Sequence, residues 1–141
     1  MRGWQTNAGK EGCLHRIRYT GAPVTLPTKL NVTKDGITIG FPVTLDAAVA
    51  SDKKNYAVSR WNYHYTSAYG SPDFKLSNPE QQGRDTVEVT KVTLSADKKS
   101  VTIQIADLKA VMQESIKYKI ATADGTTVNG ELFHTINVEP K

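Results

Sequence analysis

A chain of 141 residues, 38% hydrophobic and 23% charged with a mean hydropathy of −0.44, has the composition of one ordinary globular domain, long enough to bury a core without covalent staples. No apolar run approaches the ~18 residues of a membrane-spanning helix, and a single cysteine, Cys13, excludes an internal disulfide, a Cys-x-x-Cys-His haem attachment and a Cys-pair metal site. The net charge of +4 (pI about 9.2) is mild; without an RNP-type or helix-turn-helix pattern beside it, no nucleic-acid partner is expected, and no membrane insertion either.

Residues 1–23 read differently from the rest. In "GWQTNAGKEGCLHRIRYTGAPV", Cys13, His15, Ile17 and Tyr19 alternate with Leu14, Arg16 and Arg18, and Thr20-Gly21-Ala22-Pro23 reads as a linker. Met1 to Gln5 lead into no apolar h-region, so no secretory signal is visible. From residue 24 to 141 the chain reads as β. Leu30 and Val32 precede a turn at Lys34-Asp35-Gly36, and Ile37, Ile39 and Phe41 follow on one face. Asp46 is placed to cap a short helical turn at 47–50.

Strand-like "YAVSRWNYHY" comes next. Along one strand Trp61, Tyr63 and Tyr65 share a face, and Trp61 is expected in the core of the fold. Residues 66–85 then run about twenty positions with little periodicity, longer than a connection in a compact domain needs. "TVEVTKVTL" reads as one strand whose alternation slips at a bulge between Val87, Val89 and Val92, Leu94. Val101, Ile103 and Ile105 return cleanly, and "KAVMQES" reads as a connector. Ile116, Tyr118 and Ile120 share a face, Ala123-Asp124-Gly125 turns, and Leu132, His134, Ile136 and Val138 share a face in the last strand. The sum is an all-β immunoglobulin/fibronectin-like β-sandwich of about seven strands with a long aromatic loop insertion.

The chemistry is sparse. His15, His64 and His134 match no metal motif. Asp35, Asp73, Asp85, Asp97 and Asp124 sit at turn signals. No nucleophile elbow is present, so no enzymatic activity, cofactor or metal is expected. What stands out is "RWNYHYTSAYGSPDF" (residues 60–74), which holds five of the eleven aromatic residues. Trp61, Tyr63, Tyr65, Tyr69 and Phe74, with Arg84 beyond them, are the candidate binding residues. They suit protein docking or stacking on a sugar ring as a carbohydrate-binding platform.

The stretches "EGCLHRIRYTG", "GRDTVEV" and "LKAVMQESIKYKIATADGTTVNGELFHTIN" resemble the C-terminal part of large bacterial secreted dehydrogenase-like proteins. These join a sugar-dehydrogenase-type β-propeller, an immunoglobulin-like domain and often a haem-binding cytochrome c domain. "GCLHRIRYTG" is similar to the last propeller strand, and "YAVSRWNYHYTSAYGSPDF" to an aromatic segment of the immunoglobulin-like part. The resemblance implies a non-catalytic accessory domain, docked through its aromatic excursion and residues 13–19 on other domains of an exported, periplasmic or extracellular, parent protein. It carries no haem- or quinone-binding residue onto this chain. Polysaccharide is the alternative partner.

Overall fold

The computed structural model describes residues 14, 16–67 and 69–140; Cys13 and His15 of the expected N-terminal strand lie outside these. Eight strands form two four-stranded antiparallel sheets. The strands are β1 (Lys29–Thr33), β2 (Gly36–Gly40), β3 (Tyr56–Trp61), β4 (Asp85–Val87), β5 (Val89–Leu94), β6 (Ser100–Ile105), β7 (Val111–Ala121) and β8 (Thr127–Ile136). One sheet has the order β1-β2-β6-β5, the other β4-β3-β7-β8.

Period-two alternation places the core between the sheets. Ile37, Ile39, Val101 and Ile103 from one sheet face Val58, Ile116 and Ile120 from the other, all at most 2% exposed. Phe41 meets Tyr118 edge to face, centroids 5.7 Å apart, an arrangement that suits the ring quadrupoles. The β1–β2 turn depends on Gly36. Its φ is +128°, and a Cβ there would overlap the Ile103 carbonyl on β6. A short helix, α1 (Ala47–Ser51), begins as its sequence predicts: the Asp46 side chain accepts from the Val49 amide at 2.8 Å. The Tyr56 hydroxyl donates to the Ala50 carbonyl at 2.7 Å and ties α1 to β3.

Three readings change. There are eight strands, because "TVEVTKVTL" is two. Val87 pairs with Val58 in one sheet and Val89 with Ile105 in the other, so the chain crosses the sandwich at Glu88. The slip in alternation is first this crossing; a register shift between Val89 and Lys91 follows. "VMQES" is no connector but the start of β7, pinned by β3 pairing at Gln113, Glu114 and Ser115. The first strand of the sandwich, β1, begins at Lys29, and Val138, expected on the face of the last strand, lies beyond β8 and exposed.

Candidate functional site

β3 turns Tyr56, Val58 and Arg60 inward and Ala57, Ser59 and Trp61 outward. Trp61 is only 2% exposed, yet it stands apart from the cluster that fills the sandwich. Its burial is made on the outer face. The Arg84 guanidinium lies 3.6 Å from its ring centroid, and Phe133 of β8 meets it edge to face at 6.3 Å and 83°. Arg84 is aimed by Asp73, whose carboxylate accepts from Nε at 2.7 Å. Guanidinium over indole is the favoured cation–π geometry. Trp61 is therefore neither inter-sheet core nor, in this form, a free platform. It is the floor beneath Arg84.

The excursion 62–84 is built on Asn62. Its backbone exchanges hydrogen bonds with Phe74 (2.8 and 2.9 Å), and its side-chain oxygen accepts from the Met112 amide at 2.9 Å. Phe74 also bridges Gln82, so three backbone stretches lie side by side. The Phe74 ring is partly buried and stacks on His64 at 3.8 Å and 11°. The returning half closes with Lys75 N to Gln81 O (3.0 Å) and Gly83 N to Asp73 O (2.8 Å). Ser77 donates its amide and hydroxyl to Asp85 at 2.7 and 2.6 Å. Burial raises the Asp85 carboxyl pKa, but the Ser77 hydroxyl and amide, the Leu76 backbone and the Arg60 charge together hold the group below the usual carboxylate range. Residues 73–85 thus have an architectural role that their composition hides.

What projects is shorter. The His64 amide donates to Ser71 Oγ at 3.1 Å and pinches the loop. Beyond that pinch Tyr65 and Tyr69 are fully exposed. β3 ends at Trp61, so Tyr63 and Tyr65 do not continue its face. Tyr63 is partly exposed, and its amide points at the Met112 sulfur at 3.2 Å.

Two residues join this group that the sequence reading passed over. Met112 is 51% and Phe133 57% exposed, and both lie on the outer side of the β3-β7-β8 surface beside Tyr63 and over Trp61. Phe133 pairs with Ser115, opposite in direction to Leu132 and His134. Its signal was an aromatic residue at an outward register position. Met112 was hidden by the misread connector. Tyr, Met, Phe, Trp and Arg together are the residues that concentrate in interfaces.

On the inner face, Arg60, Glu114 and His134 form one row across β3, β7 and β8. Glu114 has no exposed surface; His134 Nε2 lies 3.2 Å from its Oε1, although neither atom completes a well-aligned hydrogen bond. Arg60 donates to the Asp107 carbonyl and carboxylate. The guanidinium, with Lys109, holds the Asp107 carboxyl below its ordinary value. Among the described residues no three His, Cys, Asp or Glu side chains are grouped to hold a metal ion, and no helix is long and apolar enough to cross a membrane.

Comparison with protein-family models, with curated proteins and with solved structures gave no match.

Proposed function

We infer that the chain is a non-catalytic accessory domain of immunoglobulin-like topology that docks on another domain of a larger exported, dehydrogenase-like protein. The topology is supported by strand order. Lettered along the chain, β1-β2-β6-β5 reads A-B-E-D and β4-β3-β7-β8 reads C′-C-F-G, the order of that sandwich. The observation that carries the docking function is the pair Tyr65 and Tyr69, fully exposed on a loop whose base is pinned. A rigid base with apolar anchors lowers the ordering cost of binding. Tyr63, Met112 and Phe133 extend the same surface.

The test is cross-linking of the full-length polypeptide followed by mass spectrometry. Links from Lys75 and Lys117 to sequence outside these 141 residues are expected, with fewer in Tyr65→Ala/Tyr69→Ala. If every link from those lysines stays inside the domain in both proteins, the docking reading fails.

Sugar binding is the second reading, favoured by two exposed tyrosine rings separated by the small residues Thr66, Ser67 and Ala68. Trp61 cannot serve in it while Arg84 covers the ring. Retention on insoluble polysaccharide that Tyr65→Ala/Tyr69→Ala abolishes would support it; retention unaffected by the substitutions would remove the tyrosines from the site.

A further inference from the structure

Four strands end a sheet: β1, β5, β4 and β8. An open edge presents unpaired N–H and C=O groups, and proteins guard such edges with short strands, lysines, prolines or bulges. β4 has three residues. β1 has five and begins at Lys29. β5 carries Lys91 and the register shift beside it. β8 has neither a short span nor a lysine or proline, and the register shift in its ladder sits on β7, between Val111 and Glu114. It runs ten residues, TVNGELFHTI, with no lysine, arginine or proline.

The chain also holds a segment with strand patterning and no strand to join. Residues 16–20, RIRYT, run without helix, turn or bend and belong to neither sheet. Ile17 is 94% and Tyr19 76% exposed. The two share one side of an extended chain, with Arg16 and Arg18 on the other. Laid along β8 with Ile17 and Tyr19 inward, the segment would continue the core side of Val128 and Leu132. Arg16 and Arg18 would then fall on the outer side, where Glu131 is the one acidic group of β8; its Oε1 accepts from the Ser115 hydroxyl and lies 3.9 Å from Lys117 Nζ, so the arginines would share an already engaged carboxylate. The anchorage fits as well. Pro23 and Thr25 share a cleft of about 700 Å³ with Thr122, Asp124 and Thr126, so the segment leaves the domain beside the turn that starts β8.

We propose that two copies of this chain exchange these segments, each laying residues 16–20 on the β8 edge of the other as an added strand. The two contacts are equivalent, so the assembly closes as a two-fold dimer. A second copy is the occupant because, among the described residues, the segment stands off its own β8 and no strand pairs with that edge, and because the arginine–glutamate match exists within this chain. The proposal concerns the β8 edge and is independent of the tyrosine loop.

Sedimentation velocity of the full chain over a concentration series tests it, with amide exchange read on the same samples. The expected result is a concentration-dependent dimer in which amides of residues 16–20 are protected, and lose protection on dilution. Ile17→Asp/Tyr19→Asp, at positions outside the core, should weaken dimerisation by about tenfold or more. Glu131→Lys should weaken it, and Tyr65→Ala/Tyr69→Ala should leave it unchanged. A monomer at every concentration overturns the proposal, whether the segment is unprotected or protected by folding onto its own β8. So does a dimer that Ile17→Asp/Tyr19→Asp leaves intact.

Discussion

A carboxylate on the inner face of a sheet costs several kcal/mol in lost hydration unless charge and hydrogen bonding compensate. Glu114 has no exposed surface, lies 3.2 Å from His134 and stands in register with Arg60. Removing it alone takes the acidic neighbour from the buried His134 ring and leaves a gap in the row, while Arg60 keeps Asp107. Glu114→Ala should cost about 3–5 kcal/mol in urea unfolding, whereas Glu114→Leu/His134→Phe, which replaces the pair with apolar groups, should recover most of that. A cost for Glu114→Ala below about 1 kcal/mol, the range of ordinary surface changes, would mean the row is not energetically paired. On the opposite face of β3, Arg84 makes a different kind of contact. Arg84→Ala removes a cation–π pair of about 0.5–2 kcal/mol and uncovers Trp61. In a Trp4→Phe background the remaining indole should become markedly more accessible to acrylamide quenching; unchanged quenching would mean another group shields the ring.

Among the strands, Trp61 separates what alternation dictates from what a distant residue supplies. Alternation assigned the inward sets of β2, β6 and β7 correctly, because each strand there keeps one face on the core. Alternation also separates Trp61 from Tyr56 and Val58, so its outward direction was legible. Its burial was not, because the cover comes from Arg84, 23 residues later in the chain. The same limit hid the crossing at Glu88: valines on both sides of it are buried against different sheets, and buried residues look alike in sequence. The excursion was legible as too long for a turn, but not that Asn62, Asp73 and Arg84 fold most of it back. Asn62 holds Met112 through its side chain and Phe74 through its backbone. Asn62→Ala should therefore loosen the excursion while the sandwich survives. Limited proteolysis should cut within residues 63–72 faster than in the parent chain, with the global unfolding free energy lowered by about 0.5–1.5 kcal/mol for the lost hydrogen bond. Equal cleavage rates would place the hinge elsewhere.

The molecule as a whole should be bounded in pH by groups at its two ends. On the acid side the Asp85, Asp97, Asp107 and Asp124 carboxyls are all held below their ordinary value, the last three chiefly by the Ser95 hydroxyl, the Arg60 guanidinium and the Thr122 hydroxyl respectively. A carboxyl depressed on folding contributes stability above its unfolded value, about 3.9, and loses it as pH falls through the folded value. The contribution of these four groups is thus constant above about pH 5 and declines below about 4. On the alkaline side burial raises both the Tyr56 and Tyr118 hydroxyls. The unfolded chain gives up these protons first, near pH 10, so their stabilisation is complete below that value and is lost as pH rises toward the folded values. Tyr56 dominates this limb, because its hydroxyl is buried against the Ala50 carbonyl. Tyr56→Phe should cost about 1–2 kcal/mol at neutral pH, since that carbonyl loses its donor, and should flatten the decline above pH 10. Urea midpoints collected from about pH 3 to 11, a range that spans the unfolded carboxyl and tyrosine values, separate the two effects. If Tyr56→Phe falls as steeply as the parent chain above pH 10, the alkaline limit belongs to other groups and the α1–β3 tie is not what sets it.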